Sequence, residues 1–483
     1  MPKNHSRPLL FPLLLTAALA GCAVGPAYER PDAPAPASWK EMPAAAGWVP
    51  ATPADAMARG QWWQLFGDPL LDQLADKVQV NNQNIAAAAA AYAQAQAAVR
   101  EQRAALFPTL GLSASARRSG ERGNGSSNAT GSNSVSLGAS WEPDLWGRLR
   151  ESVSSAQAQA QASEADLAAA RLSMLGELAT DYFSLREADA ELAALTTTID
   201  GYERSLAIAS NRYEAGIAAQ SDVLQAQTLL ANTRQQRAAL VRTRAALEHA
   251  IAVLVGLPPA DFSLPAADWK PVVPDLPPGL PSELLQRRPD IAAAERVVSA
   301  ANAQIGIARS AYYPSFTFDA SLGRSTSRIS DLFNASDALW SIGLSMAQVV
   351  FDAGAIGARV DQAKALHQAS VANYRQTVLG AFQAVEDQLS ARVSLAEQLA
   401  QSRIASAAAD KTEQQIANRY RAGQVAYTEV VVAQASALNA RRSVLQLQVA
   451  QQVAAVALIQ ALGGGWQAQW LAPQAAVQVP ATR

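Results

Sequence analysis

The side chains best equipped for chemistry sit in two sixteen-residue phrases. RYEAGIAAQSDVLQAQ begins at Arg212 and RYRAGQVAYTEVVVAQ at Arg419, 419 − 212 = 207 positions later. Each supplies an arginine, a tyrosine, a glycine and an acid at the same offsets: Arg212, Tyr213, Gly216 and Asp222, then Arg419, Tyr420, Gly423 and Glu429. Such a set does not make or break bonds. It stops one helix, starts another, and can hold neighbouring segments together through ion pairs that solvent or a partner can undo. Gly216 and Gly423 suit a left-handed helix cap, Ser221 and Thr428 suit N-caps, and Asp222 and Glu429 suit the first turn of the next helix. Each phrase therefore reads as the tip of a helical hairpin. The two acids read equally as helix-dipole partners or as parts of a gate.

Other chemistry is sparse. Beyond the N-terminal segment only His249 and His367 remain as histidines, both in helical sequence, and no phosphate loop, metal-ligand cluster or nucleophile motif occurs. No cofactor is expected, and catalysis is set aside. A net charge of −2 gives no electrostatic case for nucleic acid. The single cysteine, Cys22, follows Lys3, Arg7, an apolar run from Leu9 to Leu19 and the sequence Leu19-Ala20-Gly21. That layout is a secretory signal over residues 1–21. It resembles a bacterial lipobox, which would make Cys22 the lipidated first residue of the mature chain. Two or more acyl chains hold a protein stably to a membrane.

The elements that carry the two phrases are themselves duplicated. Gly147 matches Gly354 and Gly256 matches Gly463 at the same spacing, while Ile85 matches Ile291 and Pro108 matches Pro314 at 314 − 108 = 206. Each half reads as helix, two strands, very long helix, tight turn, helix. The first copy spans residues 65–256, with strands near 109–118 and 134–143, a long helix near 148–215 and a helix near 221–256. The second spans 282–463, with strands near 315–324 and 339–348, a long helix near 355–422 and a helix near 428–462. From Leu149 to Glu214 there is no proline, which implies a rod about 100 Å long. Leu178, Leu185, Leu192, Ile199, Leu206 and Tyr213 recur along it every seventh residue, with Leu195, Tyr202 and Ala209 between, as a coiled-coil seam. The second copy places Arg392, Ser406 and Glu413 at three of those positions.

The short strands alternate. Leu110, Leu112, Ala114 and Ala116, then Val135, Leu137, Ala139 and Trp141, share one face against serine and glycine; Phe316, Phe318, Ala320 and Leu322, then Trp340, Ile342, Leu344 and Met346, repeat the pattern. An apolar face with a small polar reverse marks a membrane barrel strand. Trp141, Trp146, Tyr312, Tyr313 and Phe351 cluster where an aromatic girdle belongs. The stretch RSGERGNGSSNATGSNS between the first two strands reads as a flexible polar loop. After Cys22 no stretch matches the roughly 18 apolar residues of a membrane helix, so a bilayer crossing must use strands. Four strands fall short of the roughly eight in the smallest membrane barrels, so sister subunits must complete the sheet.

The lipobox, the duplicated strand pair and long helix, the twin tips, and LPPGLPSELLQRRPDIAAAE from Leu276 together resemble the outer-membrane efflux lipoproteins, the TolC and OprM-like family of NodT type. The resemblance covers essentially the whole mature chain. It implies a mainly α protein whose homotrimer forms a twelve-stranded barrel continued by a helical periplasmic tunnel. Residues 22–64, 257–281 and 464–483 would contribute an equatorial belt. It further implies a passive exit duct for small compounds, worked by a periplasmic adaptor and an inner-membrane pump of RND type, with outer-membrane lipid around the barrel. Tyr213, Gly216 and Asp222 with Tyr420, Gly423 and Glu429 occupy the family's gate positions. Where some members carry a second acid this chain has Gln225 and Val432, and where others carry an arginine it has Ala218 and Val425; Arg212, Arg419 and Arg421 are the available substitutes. A protein-secretion outlet and a structural periplasmic spacer are the competing readings.

Overall fold

The computed structural model describes residues 24–33, 35–36, 38–41, 61–123, 126–275, 287–328 and 338–464. Cys22, the signal segment, residues 276–286 and residues 465–483 lie outside them. Helices α1 (Pro69–Asn81) and α2 (Gln83–Ala104) lead to strands β1 (Thr109–Gly123) and β2 (Ser126–Trp141), then α3 (Arg148–Glu214) and α4 (Gln220–Leu254). The second half runs α5 (Pro289–Ser310), β3 (Ser315–Thr326), β4 (Ala338–Ala347), α6 (Ala355–Arg421) and α7 (Tyr427–Ala461).

The duplication is exact in length where the chemistry repeats. Both long helices have 67 residues, both return helices 35, and α2 and α5 have 22 each. The shorter helices stack end to end beside the rods. At one junction the Asn82 side chain donates to Leu254 O at 2.9 Å and also accepts from Asn84 N and Ile85 N to start α2. At the other, Arg288 Nη1 donates to Ala461 O at 3.0 Å. Gly256 (φ +76°) and Gly463 (φ +92°) turn the chain there, and a Cβ at either would collide with the backbone of Asn81 or Arg287. Glycine is required by both conformation and space.

Around the layer, α2, α3, α5 and α6 pack in that order next to the sheet, and α4, α3, α7 and α6 pack in that order farther away. α3 thus lies inside the layer and α6 at its edge. The seam on α3 is buried at Leu178, Leu185, Leu195, Ile199, Tyr202 and Ala209, but Leu192 and Leu206 are only half-buried and Tyr213 is exposed. A straight helix drifts about 20° per heptad against a seven-residue repeat, so burial passes from the first set of positions to the second. On α6 the polar substitutes find ionic partners: Arg392 pairs with Asp275, and Glu413 with Arg441 at 2.8 Å. One ion pair is itself duplicated, since Arg234 binds Glu203 at 2.7 Å and Arg441 binds Asp410 at 2.7 Å, each partner 207 residues from its counterpart.

The sheet is antiparallel in the order β1-β2-β3-β4, with β1 and β4 at its edges. Its first hairpin is longer than the sequence predicts. The stretch expected as a loop is paired strand, with Arg118 opposite Gly131 and Gly123 opposite Ser126. Ladder hydrogen bonds need no apolar side chain, so alternation stops before the strand does. The serine face forms a ladder of its own: Ser113 to Ser136, Ser115 to Ser134 and Ser321 to Ser341, each at 2.8 Å. The apolar face is bare. Trp340 is 74% exposed and Ile342 77%, so no described helix covers this face. Below it Trp146 stacks on Tyr313 at 4.8 Å and donates to Pro314 O at 2.7 Å.

Each rod starts from a left-handed glycine, Gly147 or Gly354, and a nearby aspartate caps it. Asp144 accepts from Leu149 N and Arg150 N, and Asp352 accepts from Gly354 N and Ile356 N. Those N–H donors hold the Asp352 carboxyl below the ordinary carboxylate range. The N-terminal segment lies along the same wall. Val24 N meets Trp146 O, Asn302 donates to Pro26 O, Trp39 packs edge-on against Phe382, and Glu386 accepts from the amides of Lys40 and Glu41. α7 reaches a mean hydropathy of 1.3 over an 18-residue window, enough by length and composition to cross a membrane. Its Val449, Val456, Leu458 and Ile459 are instead buried among the other helices, at the end of the chain's axis opposite its tip.

Candidate functional site

The far ends of the rods carry the two phrases. At the first tip Gly216 N donates to Tyr213 O and Ile217 N to Arg212 O, both at 2.8 Å; at the second, Gly423 N donates to Tyr420 O and Gln424 N to Arg419 O, both at 2.9 Å. Both are Schellman turns, with Gly216 at φ +70° and Gly423 at φ +74°. The next helix starts one residue earlier than the sequence suggests. Ala219 and Ala426 occupy the N-cap positions without a side-chain bond, so Ser221 and Thr428 lie inside the helices and do not cap them. Asp222 and Glu429 remain in the first turns, where their charges meet the positive helix end.

The two tips are in contact, and the contact is lopsided. The Arg212 guanidinium lies 4.9 Å from the centre of the Tyr420 ring, and its Nη1 donates to Tyr420 O at 3.3 Å. Tyr420 meets Tyr427 edge-on at 5.2 Å. Ala209, Ala226, Tyr420, Tyr427 and Val430 form a small apolar core, with Leu206, Val223 and Ile416 packed on it. Thr428 Oγ1 donates to Gln225 Oε1 at 3.2 Å across the tips. Gln225 therefore supplies a neutral bridge between the tips.

Charge and burial follow the same asymmetry. Burial raises the Tyr420 hydroxyl above the ordinary phenol range; Arg212 opposes the shift and Asp222 adds to it. Burial pushes Tyr427 up to about 12, with Tyr420 and Asp222 contributing. Asp222 is thus near enough to act electrostatically on both tyrosines of the other tip. Arg212 Nε and the Tyr420 hydroxyl are buried with no protein partner. The cation–π contact contributes about 0.5–2 kcal/mol to this junction, beside the ring packing and the two hydrogen bonds across it.

Of the residues named from sequence, the fold gathers Arg212, Asp222 and Tyr420 at one junction. It leaves Tyr213, Arg419 and Glu429 exposed, and Gly216 and Gly423 act through the backbone. Arg421 turns back to Asn418 Oδ1 at 2.7 Å. Tyr427 is the residue the sequence reading missed. The signal was present, since the ninth position of the two phrases is Gln220 in one and Tyr427 in the other.

Comparison with known proteins agrees with this architecture. The family described as outer membrane efflux protein matches residues 74–257 and 280–464, the two repeats. The probable efflux pump outer membrane protein TtgC of Pseudomonas putida is 34% identical over 472 residues, covering 96% of this chain and 97% of that protein. The cation efflux system protein CusC of Escherichia coli is 33% identical over 462 residues, covering 95% and 99%. Among solved structures, the outer-membrane channel OprN superimposes with a TM-score of 0.84 at 31% identity, over 92% of this chain and 100% of that one. With both repeats matched, the chain belongs to the outer membrane efflux protein family.

Proposed function

We propose that this chain is the outer-membrane exit duct of a tripartite efflux system, a passive homotrimeric channel for small amphiphilic compounds. The observation that carries this reading is the sheet: four strands, apolar on one face, serine-lined on the other, with both edges unpaired among the described residues. An open edge invites pairing. β4 of one copy beside β1 of the next continues the antiparallel order, and three copies give twelve strands around a polar lumen. α2 with α4 on one side and α6 on the other then close the helical layer in the same way. The lumen needs no energy source of its own. A periplasmic adaptor and an inner-membrane pump of RND type supply the drive; that relatives are named as outer-membrane proteins of efflux pumps supports a pump partner.

Around that duct, residues 1–21 act as signal, Cys22 carries the lipid, and residues 22–64, 257–281 and 464–483 form the belt around the repeats at 65–256 and 282–463. Val24 beside Trp146, at the foot of the sheet, supports an anchor close to the bilayer. The tips form the periplasmic gate: Arg212, Asp222 and Tyr420 make its contact, Gly216 and Gly423 its turns, and Tyr213, Arg419 and Glu429 stand exposed beside it.

Two measurements test this reading. Deleting the gene should sensitise cells to amphiphilic toxicants, and the wild-type chain, but no soluble fragment, should restore tolerance. In planar bilayers the trimer carrying Asp222→Ala and Glu429→Ala should conduct more than wild type, and unchanged conductance would remove the acids from the gate.

A further inference from the structure

The register of the sheet places arginines where a barrel of this kind meets lipid. Its outward rows can be read upward from the helices. Trp141, Phe318 and Leu344 share one row; Leu110, Ala139, Ala320 and Ile342 the next; Leu112, Leu137, Leu322 and Trp340 the third. The fourth row is Ala114, Val135, Arg324 and Ala338, so an arginine enters the outward face as the large apolar side chains end. Two rows higher, Arg118 stands opposite Gly131 on that same face. Arg117, its sequence neighbour, points to the serine side, since strand residues alternate.

Height agrees with chemistry. From Phe316 to Arg324 the strand advances about 26 Å, or about 20 Å after a barrel's tilt, close to the full apolar band of an outer-membrane protein. Arg324 therefore reaches the outer headgroup level and Arg118 lies about 13 Å of strand beyond it. An arginine is costly on the lipid face at mid-bilayer and tolerated at the interface. Neither Arg118 nor Arg324 has an ion pair among the described residues, and Arg118 is exposed. Guanidinium groups bind phosphate through paired N–H donors.

We infer that Arg324 and Arg118 form a stepped, lipid-facing site for the phosphates of an outer-leaflet glycolipid, fixing the barrel's depth from the outside. This rests on the barrel reading above. The geometry favours a lipid phosphate over free phosphate, because the two guanidinium groups are spread along the bilayer normal beside an apolar face that would take acyl chains.

The test uses the full chain, purified in mild detergent and examined by native mass spectrometry with diphosphorylated lipid A, its dephosphorylated form, or phosphatidylethanolamine added. Wild type should retain the phosphorylated glycolipid preferentially. Arg118→Ala with Arg324→Ala should lower its retention about tenfold or more, the paired lysine variant should keep part of it, and Arg117→Ala should leave it unchanged. Equal retention by the double alanine variant, or a wild type indifferent to the phosphates, overturns the proposal. A chain that runs as a monomer without detergent would instead overturn the barrel reading on which it rests, and the proposal with it.

Discussion

At Gly216 and at Gly423 the chain reverses through the same pair of backbone hydrogen bonds, yet Tyr213 is 44% exposed where Tyr420 is 7% exposed. Arg212 lies over a ring while Arg419 faces solvent. Gln220 stands where Tyr427 fills the small core between the tips. Duplication therefore preserved what a turn needs, a glycine at positive φ and a first-turn acid, and left the side chains free to specialise. The second tip supplies the socket, and the first supplies a cation and an acid to it. A closure built this way can release one hairpin from another without unfolding either, because each Schellman turn is complete within its own hairpin.

Exchanging residues between the two tips is the way to break the comparison. Tyr420→Ala removes a buried ring and should weaken the junction by about 3 kcal/mol or more, seen as faster protease cleavage at the tips and higher single-channel conductance. Tyr213→Ala should change neither appreciably, and equal effects would mean that the asymmetry carries no function. Gly216→Val and Gly423→Val each force a β-branched residue to positive φ, at about 1–2 kcal/mol. They should lower the thermal midpoint by similar amounts, which sharpens the claim that the turns are equivalent. The rods offer a subtler exchange. Asp181 of α3, where α6 has Gln388, is pushed up to about 6 by burial and by Glu177. An acid raised in this way favours the fold when protonated, and that contribution fades as pH climbs from about 4 through 6. Asp181→Gln should therefore raise stability above pH 6 by about 1 kcal/mol, after discounting for a half-exposed site, and do little near pH 4.

Much of this was legible in the sequence because it rests on local rules. Glycines at a fixed spacing, alternation in the strands and an uninterrupted helical run gave the repeat, the sheet faces and the rods. Four features were not legible, each for a physical reason. The first hairpin extends through serine, asparagine and glycine because ladder bonds are made by the backbone. Ser221 and Thr428 do not cap, because the Schellman turn hands the helix start to Ala219 and Ala426. Tyr427 gains its role only when two hairpins 207 residues apart in sequence are brought side by side, and no single-segment pattern announces that. The buried Arg186, which pairs with Asp189 at 2.9 Å and donates to Pro265 O, was hidden for the same reason.

The contact that makes the tips unequal can be probed most directly with paired single-channel recordings in planar bilayers, Arg212→Ala beside Arg419→Ala. The account predicts that loss of Arg212 raises the conductance, because it uncovers the Tyr420 ring, while loss of Arg419 leaves it at the wild-type level. A channel that opens on losing Arg419 and stays closed on losing Arg212 would contradict it.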